Sequence, residues 1–209
     1  MSTESGTVFI VDDDAAIRRA LARLLRSAGF AARTFPSPQA FLQENDPGEP
    51  GCVVLDVAMP GLNGLELQQA LAASGRERSI IFITGHADIP TSVRAMKAGA
   101  IDFLTKPISD EQLLAALHVA MERDRQARRA RAELDSISER LATLTYRERE
   151  VLEHVVCGQL NKQIAADLGT VEKTIKVHRG RIMAKMRVES LADLVRVAER
   201  AGIPSTEAD

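Results

Sequence analysis

Aromatic residues are scarce: 209 residues include no tryptophan, one tyrosine and six phenylalanines, so any core must be largely aliphatic. Cysteine is limited to Cys52 and Cys157, both in apolar-patterned segments that read as a strand and a helix. Buried reduced thiols in a reducing compartment are the expected state, against the alternatives of a disulfide or a metal site. No stretch approaches the roughly 18 uninterrupted apolar residues of a membrane span. The first residues, from Met1 to Gly6, have neither the basic start nor the apolar core of a signal peptide. A soluble, cytoplasmic protein with no membrane partner is therefore expected. Net charge is also small, at −2, but the balance is uneven along the chain. Between Asn161 and Arg187, Lys162, Lys173, Lys176, Arg179, Arg181, Lys185 and Arg187 face only Asp167 and Glu172. Such a cluster is either an electrostatic footprint for phosphates or a solvated helix face, and charge alone does not choose.

The length allows one or two domains. From Val8 to about Asp124, short apolar runs alternate with helical patterns, which predicts βα repeats around a parallel sheet. The run Cys52–Leu55 closes on Asp56 and is followed by Met59-Pro60-Gly61-Leu62-Asn63-Gly64, the pattern of a buried parallel strand ending in a loop. Val8–Val11 ends in Asp12-Asp13-Asp14, Ile80–Ile83 ends in Thr84, and Ile101–Leu104 precedes Lys106-Pro107. Open α/β sheets place their chemistry at such C-terminal strand ends. Asp14 is suited to cap a helix from Ala15, Ser37-Pro38 to open one holding Phe41 and Leu42, and Ser109–Gln112 has capping-box spacing. Further helices are expected over 64–73 and 90–98. The sum is a doubly wound five-stranded α/β domain over residues 1–124.

Asp12-Asp13, Asp56, Thr84 and Lys106-Pro107, each on its own strand end, closely resemble the receiver domain of bacterial two-component response regulators. The resemblance implies that Asp56 accepts a phosphoryl group from a sensor histidine kinase. Asp13, Asp56 and the Ala58 carbonyl would ligate Mg²⁺, with Asp12 acting largely through water; such an oxygen-rich site suits that ion. Lys106, aimed by a cis Lys106-Pro107 peptide, would pair with phosphoryl oxygens. Thr84 would bind the phosphoryl group, and its movement would let Phe103 turn inward. Ala58 and His86 hold the positions that flank the hydrolytic water in receivers. Since Ala58 cannot orient that water, slow self-dephosphorylation is expected.

Past Gln112, Leu113, Ala120, Ala127, Leu134 and Leu141 recur every seven residues. Ala116, Ala130, Ile137 and Leu144 fill the complementary positions, and Arg123 breaks them. With no Pro or Gly interrupting, this predicts a helical linker over 125–143 that could form a coiled coil; a flexible charged tether is the alternative.

The remainder, 144–209, reads as an all-α domain. Thr145 and Glu148 fit a capping box, Asn161–Leu168 reads as a short helix closed by Gly169, and Thr170–Met186 as a basic amphipathic helix. Two helices joined by a tight glycine turn, the second basic, form a helix-turn-helix. The segments Asn161-Lys-Gln-Ile-Ala and Thr174-Ile-Lys-Val-His-Arg resemble the LuxR-type domain, and the whole chain resembles the FixJ/NarL group of response regulators. That resemblance maps base contacts onto Lys176 and Val177 in the major groove, and phosphate contacts onto Lys162, Lys173 and Arg179. Thr174 and Arg181 complete the expected DNA-binding set. Gly180 departs from the side chain often found at the next base-facing position, by drift or to permit a close approach.

The resemblance further implies a DNA-binding regulator that dimerises on phosphorylation through Val93, Lys97 and Asp102 and controls transcription with RNA polymerase, by activation in the family's usual mode. It would be no enzyme beyond its own phosphoryl transfer and dephosphorylation. A masking receiver released by phosphorylation, a phosphate sink, and a constitutive DNA binder are competing readings.

Overall fold

The structure, a computed structural model, describes residues 6–44, 46–75, 77–85 and 89–204. It divides into two compact units, Met1–Arg128 and Arg129–Asp209.

In the first unit five strands, β1 (Thr7–Val11), β2 (Ala31–Phe35), β3 (Gly51–Asp56), β4 (Ser79–Thr84) and β5 (Asp102–Thr105), form one sheet of order β2-β1-β3-β4-β5. Every pairing is parallel. Helices α1 (Ala15–Ser27), α2 (Pro38–Glu44), α3 (Gly64–Ala73) and α4 (Ile89–Lys97) alternate with the strands, and α5 (Asp110–Ala142) follows. The expected α/β architecture is therefore present. β3 and β4 are buried at all six positions each, as strands covered on both faces must be. Alternation sorts the side chains between two cores. Val8, Ile10, Cys52, Val54, Ile81 and Ile83 meet Leu21, Leu25, Leu113 and Leu117 on one face. Phe9, Val11, Val53, Leu55, Ile80 and Phe82 meet Phe41, Leu67, Leu71 and Ala95 on the other. Five of the few aromatics gather here: Phe9, Phe35 and Phe41 form a tilted and edge-on cluster, and Phe103 lies against Phe82 at 6.1 Å.

At its N-terminal end β3 is clasped. A side chain at Gly51 (φ 149°) would strike the Thr7 carbonyl at 1.9 Å, so the strands approach there without one. The Gly51 N–H donates to Asp124 Oδ2 of α5 at 3.0 Å, and Arg128 Nε donates to the same oxygen at 2.8 Å. The Arg128 guanidinium also donates to the carbonyls of Gly48 and Glu49, and Arg78 donates to those of Asp46 and Glu49.

The second unit contains α6 (Tyr146–Val156), α7 (Asn161–Asp167), α8 (Glu172–Met186) and α9 (Leu191–Arg200). Ile137 and Leu144 join Val151, Leu152, Val155, Ile164, Ile175, Ile182, Met186 and Leu194 in its aliphatic core. The expected capping box is formed: Glu148 N donates to Thr145 Oγ1, and Thr145 N to Glu148 Oε2 at 2.9 Å. The seven-residue repeat splits between these cores. Leu113, Ala116 and Ala120 are buried in the first unit, Ile137 and Leu144 in the second, while Ala127, Ala130 and Leu134 are exposed.

Both cysteines are free thiols. Cys52 is buried, which pushes its pKa up to about 12 and keeps it protonated. Cys157 departs from expectation: at the C-terminal end of α6 it is only half-buried.

Candidate phosphoacceptor site and nucleic-acid interface

Strand order reverses between β1 and β3, and this switch point is where such sheets open a crevice. Asp12 follows β1 there and Asp56 ends β3. Together with Asp13, Asp14, Ala58, Thr84, Thr91 and Lys106 they line a cleft of about 530 Å³. The start of α3 approaches so closely that a Cβ at Gly64 would lie 2.4 Å from the Asp56 carbonyl. Asp12 (0% exposed), Asp56 (3%) and Thr84 (2%) are buried, whereas Asp13 and Ala58 are exposed on the rim. Asp14, the third acid, caps α1 by accepting from Ala16 N at 2.7 Å.

Lys106 binds the two buried carboxylates together: its Nζ donates to Asp12 Oδ2 at 2.8 Å and to Asp56 Oδ1 at 2.7 Å. The other Asp12 oxygen accepts from Asp14 N at 2.7 Å, and the other Asp56 oxygen from Ala58 N at 2.9 Å. Burial pushes the Asp56 pKa up, and the lysine bond only partly opposes it. For Lys106, burial acts to lower the pKa, but the bonds to Asp12 and Asp56 outweigh it and the net shift is upward. The Lys106-Pro107 peptide is cis, and Lys106 N donates to the Thr84 carbonyl at 2.8 Å. Sequence reasoning had assigned Lys106 only to an incoming phosphoryl group. Its bridge to Asp12, 94 residues away, leaves no trace in local pattern.

Among the described residues no three His, Cys, Asp or Glu side chains form a ready metal cage. The donors on the cleft are nonetheless hard oxygens, from carboxylates and the main chain, which suit Mg²⁺ with retained waters. Phe103 is half-buried. Of the expected dimerisation residues, Val93 and Lys97 are exposed on α4, and Asp102 accepts from its neighbour Phe103 N at 2.8 Å. His86 lies outside the described residues.

In the second unit α8 follows α7 after a short turn. Lys162, Lys173, Lys176, Val177 and Arg181 are exposed, and Thr174 is half-buried. Arg179 is partly committed within the unit, donating to Asn161 Oδ1 at 3.0 Å. Lys185, counted above among the bases of the cluster, instead donates to the nearly buried Glu148 at 2.6 Å and to the Thr143 carbonyl at 2.9 Å. Burial alone would raise the Glu148 pKa. The Lys185 bond and the capping bonds overcome it and hold the carboxyl at about 2. Gly180 is exposed, with nothing within 4 Å of the place a Cβ would occupy.

Comparison with known proteins agrees with this geometry. The profile of the response regulator receiver domain matches residues 8–118, and that of bacterial regulatory proteins of the luxR family matches residues 142–198. Nodulation protein W of Bradyrhizobium diazoefficiens is 47% identical over 99% of this chain and 92% of its own length. The response regulator protein TodT of Pseudomonas putida is 44% identical over 96% of this chain and 88% of its own. The solved structure of the response regulator StyR superposes with a TM-score of 0.85 at 47% identity, covering 94% of this chain and 99% of that one. The chain belongs to the two-component response regulators that join a receiver domain to a LuxR-type DNA-binding domain. A receiver takes its signal from a sensor kinase and a LuxR-type domain binds DNA, so the protein is a transcriptional regulator. Among the described residues no helix is long and apolar enough to cross a membrane.

Proposed function

We propose that phosphorylation of Asp56 drives dimerisation of this regulator and its binding to promoter DNA, where it works with RNA polymerase in the cytoplasm to activate transcription. The observation that carries this reading is the Lys106 bridge to Asp12 and Asp56 at the switch point of the sheet. An oxygen of Asp56 attacks the phosphorus of a phosphohistidine. The O–P bond forms as the P–N bond breaks, and the imidazole leaves with a proton. Asp13, Asp56 and the Ala58 carbonyl would hold Mg²⁺, with Asp12 acting through water; the ion supplies charge neutralisation at the phosphoryl oxygens. Lys106 already stands beside the acceptor and exchanges a carboxylate oxygen for a phosphoryl oxygen. Thr84, at the end of β4, donates its hydroxyl to the same group, and Phe103 follows by turning inward beside Phe82.

The receiver catalyses only its own phosphoryl transfer and dephosphorylation. The surface of α4 and β5, with Val93, Lys97 and Asp102, receives the second copy, and the exposed Ala127, Ala130 and Leu134 are available to extend that pairing. A dimer presents two copies of α8 to a two-fold operator and multiplies weak half-site binding through effective concentration. Lys176 and Val177 read bases, while Lys162, Lys173, Thr174, Arg179 and Arg181 meet the backbone.

The test is to measure oligomeric mass and DNA affinity together, with Mg²⁺ and acetyl phosphate or without, in wild type and Asp56→Asn. Both quantities rise with donor in wild type only. A wild type modified at Asp56 in which neither quantity moves would overturn the proposal.

A further inference from the structure

The last turns of α5 pack as part of the second unit. Ile137 and Leu144 lie in its core, Leu141 packs against it, and Arg200 of α9 pairs with Glu133. The family profiles match residues 8–118 and 142–198, so neither covers these turns.

Here the C-terminal ends of α5 and α8 bind each other reciprocally. Arg140 of α5 donates through Nη1 to the carbonyl of Met186, the last residue of α8, at 2.6 Å. Lys185, in the last turn of α8, donates through Nζ to the carbonyl of Thr143, the residue after α5, at 2.9 Å. Each helix thus ends on a cation carried by the other. The last carbonyls of a helix have no partner within it and carry the negative end of its dipole, so a cation suits them. Arg140 is itself steadied by its Nε, which donates to the Ser136 carbonyl at 3.1 Å.

Such support matters more for α8 than for its neighbours. α6, α7 and α9 are each followed by a glycine of positive φ, at Gly158, Gly169 and Gly202. α8 ends instead on Arg187 at φ 54°, the one non-glycine residue of positive φ among the described residues. That conformation is unfavourable for a residue with a Cβ, and glycine is the usual occupant. The end of α8 is therefore less secured by its own sequence than the ends of the helices around it.

We propose that Arg140 is a positioning residue for DNA reading: by holding the final carbonyl of α8 it fixes the tilt of that helix, and so where Lys176 and Val177 meet base edges. Base-edge contacts tolerate little displacement, whereas phosphate contacts made by long lysine side chains accommodate a tilted helix. Loss of the Arg140 bond is felt as lost sequence discrimination rather than lost binding. This inference rests on the reading that α8 enters the major groove, and it adds a residue outside α8 to the determinants of sequence preference.

The test uses the full chain, treated with Mg²⁺ and acetyl phosphate, in wild type, Arg140→Met, Arg140→Lys and Lys176→Ala. Each is titrated at several salt concentrations against a duplex selected by wild type from a random pool and against a scrambled duplex of the same composition. In Arg140→Met the ratio of the two affinities falls about tenfold, the scale of one hydrogen bond to a charged group at a half-buried site. Affinity for the scrambled duplex and its salt slope stay as in wild type, because no phosphate contact is removed. Lysine, which keeps a cationic donor of similar reach, restores the ratio. An unchanged ratio in Arg140→Met overturns the proposal, and a lowered Tm beside it marks a residue of stability alone. A ratio that methionine and lysine lower equally overturns the role of the bond. Both duplexes weakened alike, with the salt slope lowered by about one, also overturns it and marks a direct phosphate contact. If Arg140→Met lowers the ratio and Lys176→Ala does not, the base contact assigned to Lys176 fails while the positioning role stands. A wild type that enriches no sequence from the pool sinks the groove reading, and this inference with it.

Discussion

Lys106 and Asp56 stand 50 positions apart in the chain and 2.7 Å apart at the cleft. The same ammonium also holds Asp12, so one partly exposed cation serves two nearly buried carboxylates. Both carboxylates thus share a single cation, each through one oxygen.

Replacing Lys106 by methionine leaves two carboxylates facing each other without a cation. Removing one partner of a buried ion pair costs about 3 kcal/mol or more, and the partial exposure of this lysine places the expected loss at about 2–3 kcal/mol. Urea unfolding at pH 7 measures it. Asp12→Asn in the same background recovers part of the loss, because it removes the repulsion.

Ala58 sits exposed beside Asp56, to which its N–H donates, and it offers no group to orient a hydrolytic water. Ala58→Asn adds a side-chain amide at the rim of the cleft. The phosphorylated protein should decay severalfold faster in the variant, as followed by loss of label from Asp56; an unchanged decay rate removes Ala58 from the control of lifetime.

Glu148 makes the second unit sensitive to acid. Its carboxyl is held at about 2, well below the ordinary glutamate value of roughly 4.3. A depressed acid contributes stability that is fully present above its unfolded pKa and is lost as pH falls through the folded one. In Glu148→Gln the unit loses about 1.5–3 kcal/mol at pH 7, the range for hydrogen bonds to charged groups. The gap between variant and wild type narrows from about pH 4.5 down to about pH 2. Thermal unfolding across that range checks both.

The exposed lysines of α7 and α8 are expected to separate by role. Lys162→Ala should weaken binding uniformly across DNA sequences and lower the salt slope by about one, whereas Lys176→Ala should also relax preference at one base pair. Gly180→Ala meets open space and should stabilise the helix by about 1 kcal/mol. Titrations against operator and random duplexes at several salt concentrations, with thermal melts, measure these effects.

Much of the fold was legible because apolar runs and their polar terminators coincide with strands and their ends. Asp56 and Thr84 close β3 and β4, and α3 occupies the expected 64–73. Caps at Asp14 and Thr145 are formed as local sequence dictates. The seven-residue repeat was harder to interpret, since Leu113 and Ala120 answer to one core and Ile137 and Leu144 to another. One helix thus serves both cores, with Ala127, Ala130 and Leu134 exposed between them. Long-range polar pairs were not legible at all. Lys106 with Asp12, Gln68 with Ala98, Arg179 with Asn161 and Lys185 with Glu148 join residues 94, 30, 18 and 37 positions apart. Hydrogen bonding across such separations imposes no periodicity that a sequence could display.

The clasp at Gly51 bears on where this receiver may be cut. The family profile ends at residue 118, yet the carboxylate that receives the Gly51 N–H belongs to Asp124, and Arg128 secures it. A chain severed at 118 retains every acid of the cleft but frees the root of the strand whose tip is Asp56. From that root six consecutive buried residues lead to Asp56. The first compact unit accordingly runs to Arg128, and its tail moors the strand that ends in Asp56.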